Sequence, residues 1–270
     1  MKNRKFKNIA IISAFNNKIA ADKKRQLIKK YDLIDISNDP LKIKDIDLVI
    51  VLGGDGLMLH LLHKYENKNI NIYGINCGTV GFLTNSSKEK DLIGVIENSQ
   101  ITVLHPLRMD VETIDNKKYS SIAINEVALL RQTNQAAKIK IKINNKERLP
   151  SALIGDGILL STPAGSTAYN MSLRGPIIPL GSKMLALTPI SPFRPRNWHG
   201  AILPCSVEVK LDIVDPENRQ VSATADFIEF RNVKTVTIRE DKDISFNLLF
   251  DSNHSLEERI IREQFASYQD

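Results

Sequence analysis

The chain is predicted to hold an α/β domain built on a parallel sheet and then a mostly antiparallel β domain, with a C-terminal tail returning to the first. Three observations carry this. Over the first hundred or so residues, short apolar runs alternate with helix-compatible segments, the pattern of strands buried on both faces and joined by crossover helices. Farther along, the hydrophobic period becomes two, as in half-exposed strands. Hydrophobic residues make up 42% of the 270, enough for a sizeable core. The expected boundaries are 1–100, 101–250 and 251–270.

The elements follow in order. Ile9, Ala10, Ile11 and Ile12 form a continuous apolar run, a strand buried on both faces. Residues 18–30 read as a charged helix with Ile19, Leu27 and Ile28 as its apolar points. Residues 47–52 (Asp-Leu-Val-Ile-Val-Leu) are the clearest buried strand; Gly53-Gly54-Asp55-Gly56 follows and leads into a helix over 57–62. A strand at 70–76 and a helix at 88–97 complete the α/β part. In the second part Lys138-Ile139-Lys140-Ile141-Lys142-Ile143, residues 207–212 and residues 235–238 alternate, with turn signals at Asp115-Asn116 and Asn144-Asn145. In the tail, Leu256, Ile260, Ile261 and Phe265 make a helical pattern able to return to either domain.

Composition removes several function classes. No window approaches the ~18 uncharged apolar residues of a membrane span, and the N-terminus carries no cleavage-type signal, so a soluble cytoplasmic protein is expected, with no membrane partner. Cys77 and Cys205 have no Cys or His at metal-finger spacing, which argues against a disulfide framework or a zinc module. The net charge of +6 is spread thinly apart from the lysines of 18–30. With 6% aromatic residues and none interleaved with that run, it reads as a solvated helix face and no nucleic-acid partner is expected. A mildly positive field suits a phosphorylated ligand.

Three clusters carry chemistry. Gly53-Gly54-Asp55-Gly56 sits between a buried strand and a helix, where open α/β sheets bind ligands. Glycines there allow positive φ and close approach of amides, and the helix N-terminus favours an anion. Asp55 does not suit a pure phosphate site, and a tight turn with Asp55 as helix cap fits the same residues. Asn125-Glu126 ends an alternating run; adjacent strand side chains face opposite ways, so both can touch one ligand only if the strand breaks there. Asn suits an adenine edge and a carboxylate a ribose diol, but taken alone the pair is better explained by an exposed turn. The third cluster is Gly155-Asp156-Gly157, a strand at 158–161, and Thr162-Pro163-Ala164-Gly165-Ser166-Thr167-Ala168-Tyr169-Asn170-Met171-Ser172. Its small and hydroxyl-bearing residues permit close backbone approach, and Tyr169 offers a flat face for stacking.

In order and approximate spacing these clusters, with Gly74-Ile75-Asn76, Gly78, Gly81, Phe82, Leu83 and Thr84 between the first two, resemble the signatures of bacterial NAD kinases over roughly residues 7–250. The glycine motif alone is shared with phosphofructokinases and lipid kinases; the third cluster is specific. The resemblance implies phosphate transfer from ATP or polyphosphate to the 2′-hydroxyl of the adenosine ribose of NAD, with Mg²⁺ or another divalent cation. It implies Asp55 as general base near that hydroxyl, with Gly56 lining the same pocket; Gly53 and Gly54 belong to the phosphate cradle read above, and His60 on the following helix could reach a ligand, although a surface or packed histidine is the favoured reading. Asn125 and Glu126 would hold the adenosine and Asp156 the nicotinamide amide. Thr167, Ala168, Tyr169, Asn170 and Ser172 would line the ribose and adenine pockets, and Ser191 would lie against the dinucleotide. It further implies a homotetramer with NAD at a subunit contact. Ile154 stands where many relatives carry a basic residue, Arg174-Gly175-Pro176 replaces a commoner double glycine, and residues 222–226 match the late acidic motif loosely, with Phe227 in place of a small or polar residue. A lipid or sugar kinase and a non-catalytic dinucleotide sensor are the rival readings.

Overall fold

The computed structural model describes residues 5–78, 81–86 and 91–251. The chain divides into two compact units: the first runs to Leu104 and resumes at Ile244, and the second is His105–Asp243.

In the first unit the elements are β1 (Ile9–Ser13), α1 (Lys18–Tyr31), β2 (Ile34–Asp35), β3 (Leu48–Gly53), α2 (Asp55–Lys64), β4 (Asn71–Asn76), α3 (Leu92–Glu97) and β5 (Gln100–Leu104). The second unit holds β6 (Leu107–Thr113), β7 (Lys118–Ala123), β8 (Glu126–Arg131), β9 (Ala137–Ile143), β10 (Lys146–Glu147), β11 (Leu153–Gly155) and β12 (Gly157–Ser161). A 3₁₀ turn (Ala164–Thr167) and α4 (Tyr169–Ser172) follow, then β13 (Met184–Ile190), β14 (Ala201–Pro204), β15 (Val209–Ile213), β16 (Val221–Ala225), β17 (Ile228–Phe230) and β18 (Val233–Glu240). The chain then re-enters the first unit as β19 (Phe246–Phe250).

The first sheet has the order β2-β1-β3-β4-β19-β5. Its pairings are parallel from β2 to β19, and β5 closes the edge antiparallel to β19. Every residue of β3 is buried, as an uninterrupted apolar run between two helical layers requires. Helix α1 starts at Asn17, whose side chain accepts from the Ala20 N–H at 3.0 Å, and ends with Lys29 and Lys30 in its last turn, matched to the helix dipole. Ala20, Leu27, Ile28 and Tyr31 pack on the sheet, while Ile19, expected inside, is largely exposed.

Two boundaries differ from the sequence reading. Strands β5 and β19 belong to the first sheet, although residues 101–250 were expected in the second domain. The reason is local texture: Ile101 and Val103 are exposed on an edge strand, so β5 imitates the half-exposed alternation of the second unit. In β19 four of the five residues, Phe246, Leu248, Leu249 and Phe250, are buried between β4 and β5. The expected tail after Asp251 lies outside the described residues.

The second unit has two sheets, β10-β9-β15-β18-β6-β7 with β11 also on β9, and β14-β13-β12-β8-β16-β17. Their inner faces share one core: Met109, Ile141, Leu211 and Val236 from the first meet Leu129, Ile158, Leu187 and Ala223 from the second. The predicted turns are present, with Asn116, Asn144 and Asn145 all at positive φ, as Asn tolerates. Among the described residues no helix is long and apolar enough to cross a membrane.

Asn85 fixes the segment after β4. It is fully buried, and its Nδ2 donates to the carbonyls of Gly74 (3.1 Å) and Leu249 (2.8 Å) while its Oδ1 accepts from the Asp251 N–H at 3.1 Å. Asn85→Ala removes all three side-chain bonds and should lower unfolding free energy by about 2–4 kcal/mol in a denaturant titration.

Candidate active site

The glycine motif occupies the passage from β3 to α2. Gly54 is the N-cap residue in extended conformation and makes no side-chain cap, so the first amides of a ten-residue helix are open to an anion. None of its glycines takes positive φ; among the described glycines only Gly200 does. The expectation of left-handed geometry therefore gives way to one of space. A Cβ added at Gly54 or Gly56 would meet nothing within 4 Å, whereas one at Gly53 would press on the Leu57 side chain at 2.9 Å. Gly54 and Gly56 thus keep clear a volume that no protein atom fills.

Asp55 begins α2 and is not its cap. Its Oδ2 accepts from the Phe82 N–H at 2.7 Å and its Oδ1 from the Leu83 N–H at 3.0 Å, so it holds the segment after β4 against the helix start. Gly81 and Gly74 allow that segment to lie close: a Cβ on Gly81 would collide with Thr84 and Asp55, and one on Gly74 with Thr84, Met58 and the Leu83 carbonyl. His60 is exposed one turn beyond Gly56 on the same helix face.

In the second unit the strand break required for Asn125 and Glu126 is present: β7 ends at Ala123, the chain bends at Ile124 and Asn125, and β8 starts at Glu126. A residue that the sequence reading left in a loosely matching stretch organises it. Asp226 accepts from the N–H groups of Ile124 (2.7 Å), Asn125 (2.9 Å) and Glu126 (3.2 Å). The third cluster closes on the same point. Thr162 donates its N–H to the Asn125 carbonyl (2.9 Å) and its hydroxyl to that of Ile124 (2.7 Å). A Cβ at Gly165 would overlap the Asn125 backbone, which is why glycine stands there. Asn125 Oδ1 and Glu126 Oε2 are buried and have no hydrogen-bond partner among the described residues. Burial, seconded by the Asp226 carboxylate, pushes the Glu126 carboxyl up to about 8.

The rest of the third cluster sorts by exposure. Tyr169 and Ser172 are exposed, Ala168 is half-buried, and Thr167 is buried with its hydroxyl on the Ala164 carbonyl at 3.4 Å. Asn170, expected among the ligand contacts, is a brace instead. It is fully buried, donates to the carbonyls of Ser166 (3.1 Å) and Pro176 (2.9 Å), and accepts from the Thr188 hydroxyl at 2.7 Å. Both amide hydrogens are spent on loop closure. Gly175 is held to glycine by the same Asn170 side chain.

Gly155-Asp156-Gly157 is where the chain crosses from one sheet of the second unit to the other, since Gly155 pairs in β11 with Ala137 and Gly157 in β12 with Leu130. Side chains at the two glycines would strike the Ser191 carbonyl and the Leu129 carbonyl respectively. Asp156 Oδ1 accepts from Arg131 Nε at 2.6 Å, a half-buried ion pair that sequence spacing gave no means to find. Ser191 is exposed with φ 45°, its backbone against Gly155. Asp156 and Ser191 lie at one end of the five-residue β12 and Glu126, opposite Ser161, at the other. That separation is about 17 Å.

Comparison with known proteins follows the same division. Residues 13–99 match the family model for the ATP-NAD kinase N-terminal domain and residues 124–226 that for the ATP-NAD kinase C-terminal domain. NAD kinases of Rickettsia felis and Rickettsia conorii are each 51% identical over 225 residues, covering 83% of this chain and 88% of the relative. Among solved structures, yeast NADH kinase complexed with NADH superposes with a TM-score of 0.80 at 22% identity, over 100% of this chain and 90% of that one. An Archaeoglobus fulgidus NAD kinase in complex with ATP gives 0.75 at 20% identity, over 94% and 97%.

The packing makes a paired prediction. Gly165→Ala forces the Asn125 backbone to move and should cost about 1–3 kcal/mol, the usual penalty of overpacking. Gly56→Ala, in open space on a helix, should leave the melting temperature unchanged or slightly raised. Thermal denaturation of the two variants beside the parent chain checks both.

Proposed function

The chain belongs to the NAD kinase family, and from that premise we propose that it transfers a phosphoryl group from ATP, or from polyphosphate, to the 2′-hydroxyl of the adenosine ribose of NAD, giving NADP. The observation that carries the site assignment is the pair of buried, unpartnered oxygens on Asn125 and Glu126. Leaving such groups unpaired costs about 1–3 kcal/mol each, a cost that a ligand presenting amine and hydroxyl donors, as adenosine does, would offset. The NADH in the yeast structure and the ATP in the archaeal one support the two substrates.

In this reading the α2 N-terminus, with room kept by Gly54 and Gly56, receives the donor phosphates. Asp55 orients the 2′-hydroxyl and takes its proton. A carboxylate is a weak base toward an alcohol, so the proton moves as the phosphoryl group transfers, and in a loose transition state orientation matters more than prior deprotonation. The two amides of Phe82 and Leu83 fix the carboxylate's direction for that task. A divalent cation, Mg²⁺ or another, would neutralise charge on the phosphates. The donor phosphates would supply most of that cation's ligands. Tyr169, Ala168, Thr167 and Ser172 complete the adenosine and ribose walls, and His60 lies within reach of the phosphates. A cytoplasmic setting suits these substrates.

Asp156 and Ser191 stand a strand's length from Glu126 in one chain. We assign them to the nicotinamide end of a dinucleotide held by a neighbouring copy, within a homotetramer. Light scattering at working concentration should give four copies; full activity from a monomer would contradict this.

Incubating the purified chain with NAD, ATP and Mg²⁺ should yield NADP, and replacing ATP by polyphosphate tells whether both donors serve. Asp55→Asn should lower turnover by roughly 10²–10⁴, the usual worth of a general base, with little change in NAD affinity. Near-normal turnover would leave Asp55 as a loop anchor only, and a parallel melting curve guards against misreading an unfolded variant.

A further inference from the structure

We infer that Asp226 is a positioning residue for the proposed reaction: by gathering the amides of Ile124, Asn125 and Glu126 it turns the Asn125 and Glu126 side chains onto one ligand. The inference rests on the NAD kinase reading above and adds a residue to its specificity machinery.

Three successive amides do not converge in an extended strand, where neighbouring N–H groups point to opposite sides. They converge here because one carboxylate accepts all three, at 2.7, 2.9 and 3.2 Å. The arrangement is reciprocal, since the Asp226 N–H donates to the Glu126 carbonyl at 3.1 Å. Asp226 follows Ala225, which pairs with Val127, so it stands opposite the break in β8, and it takes φ 53°, a left-handed conformation uncommon for a residue with a side chain. A residue in that conformation whose carboxylate gathers three successive backbone amides, beside two orphaned side-chain oxygens, is explained by what it aims.

The electrostatics go the same way. Asp226, from the β16–β17 turn, is the charged group that acts on Glu126, while the hydroxyls of Ser161 and Thr162 lie at the neighbouring Asn125 and Ile124 carbonyls. With burial, this holds Glu126 protonated up to about pH 8, so at neutral pH it can donate as well as accept. Above that pH it becomes an acceptor only. Removing the Asp226 charge lets Glu126 ionise at lower pH.

The test is the pH dependence of kcat and of KM for NAD in the parent chain, Asp226→Asn and Glu126→Gln, each with a melting curve. Asn keeps a residue that tolerates the left-handed conformation and one acceptor oxygen but loses the charge. The parent KM should rise as pH passes about 8. In Asp226→Asn the KM should increase roughly ten- to hundredfold with kcat within about threefold, a loss of binding rather than of chemistry, and its inflection should move to lower pH. In Glu126→Gln the inflection should vanish. An unmoved inflection in Asp226→Asn, whether KM is unchanged or raised equally at every pH, would show a merely structural turn residue and overturn the inference alone. Should Asp226→Asn fail to fold, an inflection that persists in Glu126→Gln overturns it too. A parent chain that forms no NADP would overturn the underlying reading and this inference with it.

Discussion

Carboxylates that collect backbone amides hold this molecule in its working shape. Asp226 gathers three amides where β7 would otherwise run into β8, and Asp55 gathers two from the segment after β4. Asp47 does the same for the Lys7 and Asn8 amides ahead of β1, at 2.8 and 2.9 Å, and these bonds hold its carboxyl below the usual range. Charge-assisted bonds of this kind are about twice as strong as neutral ones, and each spares the chain an unsatisfied donor where it leaves regular structure. Asp226 and Asp55 do more than seal loops: each fixes the local backbone of its own unit, Asp226 at Asn125 and Glu126, Asp55 at Phe82 and Leu83.

Glycine supplies the complementary constraint and divides into two kinds. Gly74, Gly81, Gly155, Gly157, Gly165 and Gly175 are required by neighbours that already occupy the place of a Cβ. Gly54 and Gly56 have no such neighbour and border open space. The two kinds look alike in a motif, and only the packing around them tells them apart.

Much of the fold was legible because its signals are local. The apolar run before Gly53 could only be a strand buried on both faces, and the Lys-Ile alternation of β9 could only be half exposed. What escaped depended on contacts distant in sequence. β19 returns to the first sheet beside β4, more than 150 residues earlier in the chain, and nothing in its five residues announces that partner. At the site, the glycine loop, Asn125-Glu126 and the Thr162 segment stood out by residue type. Asp226 did not, since a single Asp at a hairpin turn is ordinary and its meaning lies in amides some hundred residues away. Asn170 misled for the converse reason: its place in a ligand-like motif hid an amide whose donors are spent inside the loop.

The central claim is that the strand break exists to present Asn125 and Glu126 to the adenosine of NAD. A crystal structure of the chain with NAD tests it most directly. The account predicts that Asn125 Oδ1 and Glu126 Oε2, buried and unpartnered without ligand, each lie within hydrogen-bond distance of the adenosine while the three bonds to Asp226 persist. NAD bound with both oxygens still unpartnered, or with the Asp226 bonds broken, would contradict it.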